Sequence, residues 1–200
     1  MTTSPKISDL LPEHAAQVAQ LHISAIGTGF ISSLGIDCVT ALYEAIAESE
    51  FGFGFVAQKA DKVVGFAAFT TNLGNLYKSV VLRKGLRLVL STATRMFSFN
   101  RMKKALETLF YPTRAHKMHL PAAELLSIAV SEQERGRGLA GRLLQKGLGE
   151  CATRGIREIK VLVGADMEPA NTWYVNRGFK LQGQINSHGN ISNIYTVRIK

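Results

Sequence analysis

QERGRGLAG, residues 133–141, matches two phosphate-binding patterns at the same time. Gly136, Gly138 and Gly141 form G-x-G-x-x-G, the pattern of dinucleotide-binding loops. Gln133, Gly136 and Gly138 form Q-x-x-G-x-G, a pattern in which glycine backbone and a helix N-terminus face a pyrophosphate. The residues around the stretch decide between the two interpretations.

The dinucleotide interpretation has some support from its surroundings. A strand-like run, ELLSIAV, precedes the stretch, a helix follows it, and Asp166 ends the next predicted strand, where an acid would meet a ribose hydroxyl. In Rossmann folds, however, the strand runs directly into the first glycine, and here the five residues SEQER intervene. Only 34 residues follow Asp166, too few to complete a doubly wound sheet. We therefore do not favour a dinucleotide.

Hydrophobic periodicity predicts an α/β chain with a mixed sheet around this loop. Gly155 is expected to end the helix that follows the loop, and Ala60 and Asp61 are expected to form a hairpin turn. The predicted strands are 6–10, 53–59, 62–70, 124–130, 159–165, 179–183 and 193–199, and the predicted helices begin at Pro12 and span 39–48, 138–155 and 170–178. A segment of about 45 residues is inserted before strand 124–130.

Length and composition predict one globular domain over residues 1–200. The chain has 46% hydrophobic and 20% charged residues, and no apolar run of membrane-spanning or signal-peptide type is found, so a cytoplasmic location is expected. Cys38 and Cys151 are too few for a disulfide framework or a metal cluster, and no metal is expected.

The positive charge of the chain is concentrated in residues 74–121, which we expect to be a helical insertion within the domain. This segment has ten Lys or Arg residues and one acid, so it carries the whole net charge of +9. The rest of the chain has equal numbers of basic and acidic residues. Charge confined to one segment indicates a local role, such as binding an anionic molecule.

A second motif, NTWYVNRGF (residues 171–179), lies about 35 residues after the glycine loop. Val130, Gln133-x-x-Gly136-x-Gly138 and Tyr174-x-x-x-Gly178-Phe179 together resemble the GNAT N-acetyltransferase superfamily, in a bacterial-type member. The resemblance is close over residues 124–182 and extends in element order to residues 5–72. It implies the GNAT fold, a central mixed sheet of six to seven strands flanked by helices, and acetyl-CoA as the acyl donor.

The resemblance also implies which residues bind acetyl-CoA. Gln133 occupies the leading position of the loop motif. Many members have Asn seven residues before the tyrosine, where this chain has Met167, and Asn171 is expected to supply an equivalent contact. The backbone of Ile128 and Val130 is expected to pair with the pantetheine arm, and the pyrophosphate is expected to lie on the amides of Arg135, Gly136, Arg137, Gly138, Leu139 and Ala140.

The reaction needs a group that takes a proton from the amine and a group that gives one to the leaving thiolate. Tyr174 stands where the family often places the general acid, and otherwise it is a packed aromatic residue. Glu124 opens the strand that enters the loop, where its carboxylate either accepts the amine proton or is a solvated acid. Ser127 is expected to be a half-buried strand residue. His188 is either a solvated loop residue or faces the acceptor.

The acceptor is expected to be a small molecule with a primary amine. An acidic acceptor, such as a nucleotide-linked amino sugar, would suit the basic segment 74–121, which we expect to cover the acceptor side of the cleft. Nucleic acid is not expected as a partner of the enzyme. The alternative is a catalytically weak GNAT-fold module that binds an anionic membrane, through residues 78–104, or a nucleic acid or protein partner. A homodimer is also left open.

Overall fold

The strands form one mixed sheet with two helix-covered faces. The computed structural model describes residues 4–27, 30–80, 120–187 and 190–199. In these residues seven strands are ordered β1-β2-β3-β4-β5-β7-β6, and β4 and β5 are the parallel neighbours. The strands are β1 Lys6–Asp9, β2 Gly52–Lys59, β3 Lys62–Thr70, β4 Glu124–Val130, β5 Glu158–Gly164, β6 Lys180–Ser187 and β7 Asn190–Arg198.

Helices cover both faces of the sheet. Helices α1 and α3 pack on one face, called here the α1/α3 face, and helices α5 and α6 pack on the other, the α5/α6 face. The helices are α1 Ala15–Ala25, α2 Phe30–Ser33, α3 Ile36–Glu48, α4 (residues 73–80), α5 Leu139–Thr153 and α6 Glu168–Val175, with 3-10 turns at Pro12–His14 and Glu132–Glu134. This architecture confirms the predicted fold class.

The described turns follow the predicted chemistry. Ala60 and Asp61 both have positive φ, 47° and 62°, as the tight turn of a hairpin between twisted strands requires. Gly155 follows α5 with φ 74° and ends the helix. Helix α3 begins at Ile36, three residues before the predicted start. Beyond residue 80, the predicted insertion lies outside the described residues until Leu120.

Helix α5 approaches the sheet closely at Gly147. A Cβ atom on this residue would lie 2.0 Å from the Phe69 ring, which is itself fully buried. Gly149, two residues later, is exposed, and a Cβ there would meet no atom within 4 Å. Helix α5 therefore needs a glycine at one of these positions and only tolerates one at the other.

We expect Gly147→Ala to destabilise the protein by about 1–3 kcal/mol, because the methyl group forces Phe69 or the helix to move. Gly149→Ala serves as the matched control and is expected to be neutral or to stabilise by up to about 1 kcal/mol, since alanine favours a helix. Urea unfolding measures both. Equal stability of the two variants would contradict the close approach.

Candidate active site

Strands β4 and β5 separate shortly after they pair. Their parallel pairing is limited to Glu124 with Lys160 and Leu125 with Val161. On the other side of β4, Phe69 pairs with Leu125 and Ala68 with Ser127, which leaves Leu126 as an extra residue in a bulge. A bulge bends its strand. The gap between the two strands is therefore closed at Leu125 and opens toward the glycine loop.

The backbone of β4 beyond the bulge faces this gap at alternate residues. The N–H of Ser131 donates to the carbonyl of Val64, at 2.8 Å, so Ser131 faces β3. Because hydrogen-bonding direction alternates along a strand, the backbone groups of Ile128 and Val130 point to the gap. These are the two residues predicted to pair with an extended arm.

The glycine loop presents free backbone donors at the open end of the gap. Gly136 and Gly138 have φ 74° and 75°, a left-handed conformation that favours glycine, and the space beside both is open. Within the described residues, the N–H groups of residues 136–141 donate no hydrogen bond. The N–H of Arg135, in contrast, closes the turn on the carbonyl of Glu132, so the row of free donors begins at Gly136. This row leads into the N-terminus of α5, which favours an anion.

Ion pairs fix the loop to the sheet. Glu134 is buried and its carboxylate contacts Lys59 Nζ at 2.7 Å and an Arg137 nitrogen at 3.1 Å. The hydrogen bond from Lys59, with the positive charges of Lys59 and Arg137, holds the pKa of Glu134 below its usual range.

Gln133 and Arg135 remain exposed and line a cavity of about 460 Å³ between the loop and α1.

Glu124 lies buried at the closed end of the gap, on the α1/α3 face, so the solvated alternative is wrong. Its Oε2 atom lies 3.4 Å from Lys160 Nζ, and that ammonium also donates to the carbonyls of Pro121 and Ala122. Burial raises the pKa of Glu124, and the charge of Lys160 partly opposes this rise. The result is a carboxylate with increased proton affinity beside a fixed cation.

Tyr174 lies on the opposite, α5/α6 face. Its ring packs against Trp173, Phe179 and Tyr195 at centroid distances of 4.9, 5.1 and 6.4 Å. Tyr195 pairs in register with Val161, the last β5 residue that pairs with β4. Tyr174 therefore lies near the closed end of the gap, across the sheet from Glu124. Burial raises the pKa of Tyr174, so the hydroxyl keeps its proton at neutral pH.

A parallel pair of strands opening onto a glycine loop, with an acid on one face and a phenol on the other, suits transfer of an acyl group from a phosphate-bearing donor. A family model described as the acetyltransferase (GNAT) family matches residues 27–179. The chain belongs to the GNAT acetyltransferase family. It is an acetyl-CoA-dependent N-acetyltransferase, as predicted, and the GNAT assignment replaces the dinucleotide interpretation of the loop.

Solved structures share this GNAT fold at low sequence identity. The N-acetyltransferase from Staphylococcus aureus Mu50 is 17% identical, with 99% of this chain and 100% of that chain covered and a TM-score of 0.63. The ribosomal-protein-S18-alanine N-acetyltransferase from Escherichia coli is 15% identical, with 98% of this chain and 94% of that chain covered and a TM-score of 0.61. Arabidopsis thaliana NAA60 in complex with acetyl-CoA is 13% identical, with 98% of this chain and 99% of that chain covered and a TM-score of 0.61. No curated protein matches the chain in sequence.

Asn171 does not have a free polar group in this GNAT structure. Its amide nitrogen donates to the carbonyls of Gly164 and Met167, both at 2.8 Å. Its oxygen accepts from Asn193 at 2.8 Å and from the Tyr195 hydroxyl at 2.9 Å. A side-chain amide has two donor hydrogens and two acceptor lone pairs, and all four are used. Asn171 anchors α6 to β5 and β7, and a contact to acetyl-CoA would require one of these bonds to break.

Both ends of the basic insertion lie on the α1/α3 face of the GNAT sheet. Leu73 and Tyr77 of α4 and Leu120 at the return pack in one apolar cluster with Leu126 and Leu162. Burial and the charge of Glu124 raise the pKa of Tyr77, which places this tyrosine near the carboxylate. Residues 81–119 and His188 lie outside the described residues.

Four residues near the site were not predicted from the sequence: Lys160, Tyr77, Tyr43 and His22. Each is far along the chain from the partner that reveals it; Tyr43, for example, contacts Ser127 across 84 residues. The sequence offered one sign, for Lys160: a lysine within the apolar run of residues 159–163. In the described residues, no group of His, Cys, Asp and Glu side chains could hold a metal ion, and no helix is long and apolar enough to cross a membrane.

Proposed function

We propose that the enzyme transfers an acetyl group to the primary amine of a small acidic acceptor, such as a nucleotide-linked amino sugar, and that residues 1–200 act as one domain. The observation that carries the proposal is the position of the basic insertion. Its described ends, α4 and Leu120, lie on the same face as Glu124 and pack against β4 and β5.

The geometry of the gap supports a placement for the donor. The free N–H groups of residues 136–141 bind the pyrophosphate at the open end. The arm extends along β4, on the backbone groups of Ile128 and Val130 that point to the gap, and it displaces the Arg135 side chain from the Val130 carbonyl, which lies 3.4 Å from its Nε. An extended arm that enters from the loop brings its thioester to the closed end of the gap, near Leu126 and between the faces that carry Glu124 and Tyr174.

Each face then has one proton-transfer step. On the α1/α3 face, the Glu124 carboxylate takes a proton from the ammonium group, directly or through a water, and the amine nitrogen bonds to the thioester carbonyl carbon. When the carbon–sulfur bond breaks, the Tyr174 hydroxyl on the α5/α6 face gives its proton to the thiolate, and the second proton lost by the nitrogen as the amide forms returns to Tyr174 through water. The raised pKa of Glu124 suits the first step, because a base is most effective when its pKa is close to the working pH.

The charge of the insertion favours an acidic acceptor. The segment 74–121 has ten Lys or Arg residues and one acid, and both its ends lie on the face that carries Glu124. A positively charged segment in this position attracts anions and repels polyamines.

The non-catalytic alternative is not favoured, because the described residues keep a buried carboxylate, a buried phenol and the free loop donors in one site. Cytoplasmic location, a membrane contact and a homodimer stay predictions.

A thiol-release assay with acetyl-CoA tests the acceptor class. The panel contains a UDP-linked amino sugar, the corresponding free amino sugar, glycine, a tetrapeptide with a free N-terminus and spermidine. We expect the UDP-linked sugar to give the highest kcat/KM, with a decrease at higher salt because salt screens the attraction. A preference for spermidine or for the free amino sugar would contradict the proposal.

We expect replacement of Arg83, Lys84 and Arg87 by Gln to raise the KM of the acidic acceptor and to leave the KM of acetyl-CoA unchanged. The matched control replaces the exposed cations Arg157, Lys180 and Arg198 by Gln, which removes the same charge elsewhere. Steady-state kinetics measure both triple variants. Equal KM increases would show that only the total charge matters, and liposome binding lost with unchanged kinetics would support a membrane role.

Tyr174→Phe is expected to lower kcat by ~10–100-fold, with little change in the KM of acetyl-CoA, because it removes one proton donor and keeps the packed ring. Initial rates at saturating acetyl-CoA measure the effect. A change in KM alone would assign Tyr174 to binding, and unchanged kinetics would leave it a packing residue.

A further inference from the structure

Three polar side chains form a connected line on the α1/α3 face. His22 Nδ1 of α1 lies 2.6 Å from the Tyr43 hydroxyl of α3, and that hydroxyl lies 2.8 Å from Ser127 Oγ of β4. His22 and Tyr43 are 5% and 1% exposed, and Ser127 is half-buried. The line therefore runs from the core to the one member that a ligand can reach.

The bulge decides where Ser127 points. Ser127 pairs with Ala68, whose side chain packs in the cluster of the α1/α3 face, and Leu126 packs there too. Leu126 and Ser127 lie on the same face, although they are consecutive, because the bulge inserts one extra residue into β4. Without the bulge, alternation would place Ser127 on the face opposite Leu126. Ser127 instead lies on the face of Glu124, beside the point where β4 and β5 separate.

Ser127 keeps hydrogen-bonding capacity after its contact with Tyr43, which is its one partner in the described part of the chain. A serine hydroxyl has one donor hydrogen and two acceptor lone pairs. Whether Tyr43 donates to Ser127 or accepts from it, at least one lone pair of Ser127 Oγ stays free. That lone pair can accept an N–H from an amine on the same face.

The buried end of the line is uncharged and incompletely paired. Burial lowers the pKa of His22 to about 4, so the imidazole is neutral at neutral pH. Its Nε2 atom is buried and has no hydrogen-bond partner among the described residues. An unpaired buried polar atom destabilises a protein, whereas His22 Nδ1 is paired with the Tyr43 hydroxyl. A polar line kept at this position is consistent with a role in the site.

We propose that Ser127 accepts a hydrogen bond from the acceptor amine and orients its nitrogen toward the thioester, and that Tyr43 and His22 are positioning residues that hold the Ser127 hydroxyl. This inference rests on the proposed function, because it places the amine on the α1/α3 face. It assigns to Ser127 a contact with substrate, whereas the sequence indicated only a half-buried strand residue.

The test compares Ser127→Thr with Ser127→Val, two side chains of nearly the same shape that differ in the hydroxyl. Kinetics use acetyl-CoA and the amine of the panel that the wild type acetylates fastest. We expect the valine variant to have about tenfold lower kcat/KM for the amine than the threonine variant, which corresponds to the loss of one hydrogen bond. The Kd of acetyl-CoA is expected to be equal in both, and Ser8→Ala, on the far edge strand, is the unaffected control.

Tyr43→Phe tests the positioning role, since it removes the hydroxyl and keeps the ring. We expect a smaller loss in kcat/KM for the amine, and no further loss when it is added to Ser127→Ala, because Tyr43 acts through Ser127. Equal kinetics for the threonine and valine variants, or fully additive losses in the double variant, would overturn the inference alone. No thiol release by the wild type with any amine would overturn the proposed function and this inference with it.

Discussion

We expect Glu124→Gln to lower kcat by about 100-fold, since a correctly placed general base contributes typically 10²–10⁴-fold. The loss has a defined pH dependence. In the wild type, kcat/KM for the amine falls as the pH drops through the pKa of Glu124, because the protonated carboxyl cannot take a proton. That pKa lies above the usual carboxylate value, so the decrease occurs at a higher pH than for an exposed acid. The glutamine variant has no carboxyl to titrate at this site, and its rate instead falls with pH as the fraction of unprotonated amine in solution falls.

Lys160→Met supplies the complementary test. The Lys160 ammonium lowers the pKa of Glu124, so its removal raises that pKa further and moves the decrease in kcat/KM to higher pH. The melting temperature is measured for both variants, because each leaves a buried charge without its partner. A glutamine variant that keeps the wild-type rate and pH profile would show that Glu124 is structural.

Gly138→Glu is expected to weaken acetyl-CoA binding by more than about 100-fold. A side chain at residue 138 extends into the open space beside the free N–H groups, and its carboxylate repels the pyrophosphate there. The fold is expected to survive at a cost of about 1–2 kcal/mol, the usual strain of a left-handed residue other than glycine. Calorimetry measures the affinity and thermal unfolding measures the cost.

Two controls separate charge from strain. Gly138→Ala has the same backbone strain without the carboxylate, and we expect it to keep most of the affinity. Gly149→Glu puts the same charge on an exposed position of α5, and we expect no effect on binding. An equal loss in the alanine and glutamate variants of Gly138 would show that loop conformation, and not the phosphate contact, is responsible.

The sequence predicted the sheet well where burial produces a simple pattern. Strands β2 and β3 are almost fully buried, so they read as continuous apolar runs on either side of the turn at Ala60 and Asp61. Strand β6 was predicted to end at Gly183 but continues to Ser187. It is an edge strand, and the segment beyond Gly183, residues 184–187, has only one apolar residue, Ile185, too few for a strand pattern to be detected.

The loop was recognised from the sequence because its glycines are required by local backbone conformation. The bulge at Leu126 was not recognised from the sequence, since a bulge of this kind needs no special residue. The environment of Glu124 was also beyond prediction, because its partner Lys160 comes from another strand and the nearby Tyr77 comes from α4. Contacts between residues distant in sequence determine the proton affinity of the carboxylate and the role that we propose for Ser127.

The most direct test of the loop assignment is a calorimetric titration of the wild-type protein with acetyl-CoA and, separately, with NAD. The free donors of residues 136–141, the open gap beside β4 and the GNAT match predict one acetyl-CoA bound per chain and no heat of binding for NAD. Binding of NAD without binding of acetyl-CoA would contradict the assignment of the loop and of the site built on it.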